Sequence, residues 1–108
     1  MTANVEKLID YLTAVRSRPR MYLGSDDNPD VADAYLGGTR VLALLFFDFH
    51  GSVTALQDEV ATRRGYWYHA DGIIAALRRK KLSDKDIVHE LIESEIEFWK
   101  VYAEQMEK

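Results

Sequence analysis

Seven consecutive apolar residues, Val41-Leu42-Ala43-Leu44-Leu45-Phe46-Phe47, constrain this sequence more than any other feature. A run with no polar position leaves no side of a helix for water, so it suits a central helix surrounded by others. It is far shorter than the roughly 20 residues a membrane-spanning helix needs. A buried strand is the alternative for so short a run, but Leu and Ala favour helix and no nearby segment offers a partner strand. The expectation is an all-α fold: a single compact domain over residues 1–108, of about five helices around a buried Val41–Phe47. The 108 residues are 47% hydrophobic and 30% charged, enough apolar material for one core and enough charge for solubility.

Punctuation divides the rest of the chain. Thr2 or Asn4 can cap a first helix in which Val5, Leu8, Ile9, Leu12 and Val15 recur at spacings of three and four. Pro19 disfavours the α conformation at Arg18 and should end that helix there. Asn28-Pro29-Asp30 then supplies an N-cap, a proline for the first turn and an acid for the positive end of the dipole. The helix it starts can run to Phe49 with His50-Gly51 as its exit, and Gly37-Gly38 predicts a kink or a close helix contact within it. Between these helices Met21, Tyr22 and Leu23 are the apolar residues available to anchor the connector. Ser52 can cap a third helix carrying Val53, Leu56 and Val60, closed by Gly65 after Arg63 and Arg64. Tyr66-Trp67-Tyr68-His69 reads as extended, and Asp71 can cap a short helix that ends in Arg78-Arg79-Lys80-Lys81. Ser83 with Asp86 three residues on resembles a capping box for the last helix. That helix is expected to pack along one side of the bundle, with Glu90, Glu93, Glu97 and Glu104 facing away from its apolar stripe.

The net charge of −4 is unevenly spread. Residues 1–82 hold eleven Lys/Arg against ten Asp/Glu, whereas residues 83–108 hold three against eight. Nucleic-acid binders usually present a basic excess, so this balance argues mildly against one. The absence of cysteine removes disulfides, thiolate metal sites and thiol nucleophiles. The start, Met-Thr-Ala-Asn-Val-Glu-Lys, is not a basic stretch followed by an apolar one, so a cytoplasmic protein without a membrane partner is expected.

Arg18-Pro19-Arg20-Met21-Tyr22-Leu23-Gly24 resembles the RPGMYIG segment that precedes the ATP site of the GHKL ATPases, such as the gyrase B subunit. An ungapped extension of that resemblance places Gly38 where the family has its water-activating Glu and Leu42 where it has its magnesium-binding Asn. It therefore implies no ATPase activity here. The same segment, followed by Tyr35-Leu36-Gly37-Gly38, Tyr66–Ile74 and Ile87–Trp99, is similar to small acidic bacterial proteins with an RPxMYLG motif. Some of those look like immunity proteins of toxin systems. Gly38-Thr39 departs from their usual Gly-aromatic pair. This resemblance implies a binding role without catalytic residues.

Read for chemistry, the residues offer little catalysis. His50, His69 and His89 are the histidines, and His89-Glu90-x-x-Glu93 lacks the second His of a zincin motif. No phosphate-cradling glycine loop or serine elbow is present. No cofactor, no metal and no enzymatic activity are expected. Arg63-Arg64 followed by Tyr66-Trp67-Tyr68 combines cations with planar rings, which can enter the core, engage a protein or stack a base. The candidate binding residues are Arg18, Arg20, Arg63, Arg64, Tyr66, Trp67 and Tyr68 together with Glu90, Glu93 and Glu97. The expected function is a small non-catalytic interaction protein that binds and inhibits or regulates another macromolecule, with a protein as partner. The alternative is a nucleotide- or nucleic-acid-binding module built on the Arg/aromatic cluster, and association with a second copy is compatible with either. Binding through these charged residues would weaken with salt.

Overall fold

A computed structural model describes residues 2–66 and 72–107. Among the described residues all regular structure is helical: α1 (Thr2–Ser17), α2 (Pro19–Leu23), α3 (Pro29–Phe46), α4 (Val53–Arg64), α5 (Gly72–Arg79) and α6 (Asp84–Met106). Three caps are those the sequence announces, whereas the cap expected at Thr2 or Asn4 is corrected, since the chain is already helical at Thr2 and both residues lie within α1. Asn28 Oδ1 accepts from the Val31 amide at 3.3 Å, Ser52 Oγ from Ala55 at 3.1 Å and Ser83 Oγ from Asp86 at 3.2 Å. Gly65 closes α4 in the left-handed region, at φ 75°, where a β-carbon would be strained. The predicted Asp71 cap lies outside the described residues.

The core is not where the apolar run predicts it. The central helix is α6, which packs against α1, α3 and α4 and buries three consecutive residues, Ser94, Glu95 and Ile96, as only a helix with neighbours on several sides can. Trp99 is fully buried, with Phe47, Phe98 and Tyr102 around it at ring centroid distances of 5.7, 5.1 and 5.2 Å. The expectation of a buried Val41–Phe47 is corrected: Val41, Leu42, Leu45 and Phe46 are 58, 70, 73 and 78% exposed. The physical reason is that α3 has a partner on one side alone. Ala32 and Leu36 are buried, and Ala43, Leu44 and Phe47 pack partly against the core, all on the arc that faces α6. The other arc carries Ala34, Gly38, Val41, Leu42, Leu45 and Phe46, and no described helix covers it.

Of the two expectations at the glycine pair, the close helix contact is corrected for the same reason. The helix continues through Gly37 and Gly38, and a β-carbon at Gly38 would meet nothing within 4 Å, so no neighbour approaches closely there. The C-terminal end of α3 also comes earlier than predicted, at Phe46, with Asp48 in the left-handed region at φ 54°.

The connector between α1 and α3 contains a sixth, single-turn helix that starts on Pro19 and ends at Gly24 with φ 77°. Leu23 is buried and Tyr22 meets Tyr11 edge-on at 5.5 Å, while the Tyr11 hydroxyl bonds that of Tyr35 across to α3. Met21, expected in the core, instead points outward and is 69% exposed. Leu23→Ala should therefore cost about 2–5 kcal/mol of stability, as for buried leucines generally. Arg20, whose side chain is exposed and meets Asp26 at 3.3 Å, should cost at most about 1 kcal/mol as Ala. Thermal melts of the two variants check this pair, and equal melting temperatures would mean that the connector does not anchor the fold.

Candidate functional site

Three regions combine chemistry with access: a cleft on α4 and α6, the uncovered face of α3, and a cavity between α3 and its neighbours. The cleft, of about 390 Å³, brings together five of the residues singled out from sequence, Arg63, Arg64, Tyr66, Glu90 and Glu97, with Lys80 and Leu82 beside them. The end of α4 lays its two arginines across the acidic stripe of α6. Arg64 donates through Nη2 to Glu90 Oε2 at 2.9 Å and through Nε to Oε1, a paired contact of the kind guanidinium and carboxylate geometry favours. Arg63 bonds Glu104 at 2.8 Å and Glu59 at 3.0 Å, and lies 3.8 Å from Glu97. Hydrogen bonds to Glu104 and Glu59 raise the Arg63 pKa, and the bond to Glu90 raises that of Arg64. The cations and the acidic face, which read from sequence as two separate surfaces, thus neutralise one another.

Tyr66 is buried rather than presented for stacking. Its hydroxyl shares a hydrogen bond with Ser94 at 2.5 Å, and Lys80 Nζ stands 5.7 Å over its ring while donating to the Gly65 carbonyl at 2.6 Å. The remaining sequence candidates do not join the cleft. Glu93 pairs with Arg16 of α1 at 2.9 Å, and Arg18 and Arg20 lie on the α2 connector. Trp67 and Tyr68 fall outside the described residues, as does His69. His89 lies 3.7 Å from Glu93, and no group of three potential metal ligands occurs among the described residues.

The uncovered face of α3 is uncharged over more than three turns. From Ala34 to Phe47 the sole ionisable side chains are Tyr35 and Arg40, and Arg40 turns to the opposite side. Its guanidinium lies 5.6 Å from the Phe98 ring centroid and its Nε 3.7 Å from Glu95 Oε2.

That pair belongs to a cavity of about 300 Å³ bounded by α3, α4, α5 and α6. Leu36, Val60, Ile73, Leu91 and Phe98 form its apolar wall, and Asp33, Arg40, Gln57, Ser94 and Glu95 bring polar groups to it. Glu95 is 7% exposed and accepts from Trp99 Nε1 at 3.2 Å through Oε2. Burial raises its carboxyl to about 7; Arg40 and Trp99 pull it down by less, and Asp33 pushes it up. Sequence reading passed over this residue, although a signal exists. Glu95 sits four residues from both Leu91 and Trp99, in the middle of the apolar stripe of α6, where a carboxylate is costly unless a partner meets it. Arg40, four residues from Leu36 and Leu44, breaks the inner stripe of α3 in the same way.

Among the described residues no helix is long and apolar enough to cross a membrane. Comparison with protein-family models, curated proteins and solved structures finds no match.

Proposed function

We propose that this protein is a small non-catalytic interaction protein that binds and inhibits or regulates another macromolecule, a protein that docks on α3. The observation that carries the reading is the α3 face itself: Leu42, Leu45 and Phe46 are 70% exposed or more, contiguous and free of charge. Exposed apolar patches larger than a few hundred Å² are uncommon on monomers and mark interaction surfaces. An uncharged face calls for a partner with an apolar groove or helix, and it gains little from electrostatic steering. The resemblance of Arg18–Gly24 to the RPxMYLG proteins, some of them immunity-like, supports an inhibitory role. The nucleotide or nucleic-acid alternative draws less support, because a phosphate at Arg63 or Arg64 would have to displace carboxylates already bound.

The test is recovery of a partner by affinity purification from the native host, repeated with Leu42→Glu/Leu45→Glu and with Arg63→Glu/Arg64→Glu. The α3 variant should lose the partner and keep its melting temperature, since substitutions at exposed sites usually shift stability by under about 0.5 kcal/mol. Raising salt should leave the complex intact, and the recovered partner's activity should fall when the wild-type protein is added back. A partner lost with the arginine variant and kept with the α3 variant would move the contact to the cleft. A wild type that is dimeric through α3, with no other partner, would remove the proposed function.

A further inference from the structure

We propose that the cavity between α3, α4, α5 and α6 binds a small organic cation, a protonated amine carrying a compact apolar body. The inference is independent of the outer face of α3. Three observations lead to it.

The first is a free acceptor. Glu95 Oε2 is taken by Trp99 Nε1 and faces Arg40, whereas Oε1 has no hydrogen bond among the described residues. No fully buried side-chain oxygen or nitrogen among them lacks a partner, so Oε1 keeps some access to solvent, and Glu95 is one of the residues that line the cavity. The second is charge. Among the described lining residues, and above about pH 7 where Glu95 is mostly ionised, Asp33 and Glu95 bring two negative charges and Arg40 one positive, an excess that a monocation cancels. An anion would have Arg40 as its attraction but two carboxylates against it. Arg40 is in any case engaged, stacked on Phe98 and directed at Oε2. The third is shape. A volume of about 300 Å³ equals roughly ten waters at about 30 Å³ each, and stands at the lower end of small-molecule sites. The wall formed by Leu36, Val60, Ile73 and Leu91 is apolar, so a ligand filling it needs a hydrocarbon or aromatic body behind its ammonium group.

The indole proton of Trp99 reports on the site directly, because its acceptor is the carboxylate proposed to hold the ligand. Phenethylamine, phenylpropionate and phenylethanol, an amine, an acid and an alcohol on similar bodies, are titrated into 15N-labelled protein at about pH 8. There Glu95 is ionised and an alkylammonium stays charged. The amine should move the Trp99 Nε1–H resonance saturably and bind at least about tenfold more tightly than the other two, the discrimination expected of one charge-assisted hydrogen bond. Glu95→Gln should remove that preference while the rest of the amide spectrum is unchanged. Equal binding of the three probes, tighter binding of the acid, no saturation by about 10 mM, or an unaltered amine affinity in Glu95→Gln would each overturn the proposal. The comparison of probes on the wild type decides even where the variant folds poorly. None of these readings depends on Leu42 or Leu45, so the cavity and the docking face stand or fall separately.

Discussion

Trp99→Ala should remove much of the protein's stability. The indole is fully buried at the centre of α6 with three rings around it. Truncating such a residue costs about 3–5 kcal/mol, and it also takes the indole donor from Glu95 Oε2, leaving Arg40 at 3.7 Å as that oxygen's partner. Against a total of about 5–15 kcal/mol for a domain of this size, the variant is at or near the unfolding threshold. The matched control is Phe46→Ala, a comparable truncation within the most apolar run of the sequence, which should cost under about 1 kcal/mol because the ring is 78% exposed. Urea unfolding followed by circular dichroism gives both values. If Phe46→Ala were the more damaging of the two, α3 and not α6 would be the centre of the fold.

Glu95→Gln should stabilise the protein in mild alkali and remove a pH dependence. The carboxyl stands at about 7 in the folded protein against 4.5 unperturbed, so the folded state holds its proton more tightly than the unfolded chain does. Stability from this source is fully present below about 4.5, declines as pH rises through 4.5–7 and is level above that window. The total is on the order of 3 kcal/mol at about 1.4 kcal/mol per pH unit. The groups that set it are named by the geometry: burial first, then Arg40 and Trp99 opposing it, then Asp33 adding to it. Gln keeps an acceptor for the Trp99 indole and cannot ionise. The difference between wild type and variant, measured by urea unfolding at about pH 5 and about pH 8, should therefore widen with pH in favour of Gln. A variant less stable than wild type at about pH 8 would show that the Arg40 to Glu95 ion pair outweighs the burial of its charge.

The starts of α3, α4 and α6 and the ends of α1 and α4 were legible from sequence because they are set by local chemistry. Asn28, Ser52 and Ser83 each bond an amide three residues on, and Pro19 and Gly65 act through their own backbones. Which helix occupies the centre was not legible, because that depends on how many neighbours each helix has. Val41–Phe47 is apolar all round, yet α3 lies at the edge; α6 carries a stripe of acids, yet its interior residues are enclosed. The acids of α6 mislead in isolation because their countercharges come from distant positions: Arg16 is 77 residues from Glu93, and Arg64 is 26 from Glu90. From sequence Tyr66 is open between core and binding surface, and what decides for the core, its bond to Ser94, comes from another helix. For the cavity the information was present as two polar residues on apolar stripes, Arg40 and Glu95, but their opposition across two helices appears only once the helices are packed.

The central position of α6 also bears on how the chain is made. Synthesis runs from the N-terminus, so α1, α3 and α4 are made before the helix they all pack against. Until then Leu12, Leu36 and Leu56, each wholly or almost wholly buried in the finished fold, have no lasting cover. Without α6 the apolar faces of α1, α3 and α4 have no common surface to close on, so the three helices are coupled to one another chiefly through it. A product lacking α6 loses the cover of Leu12, Leu36 and Leu56 together, so no smaller part of this fold keeps a core of its own.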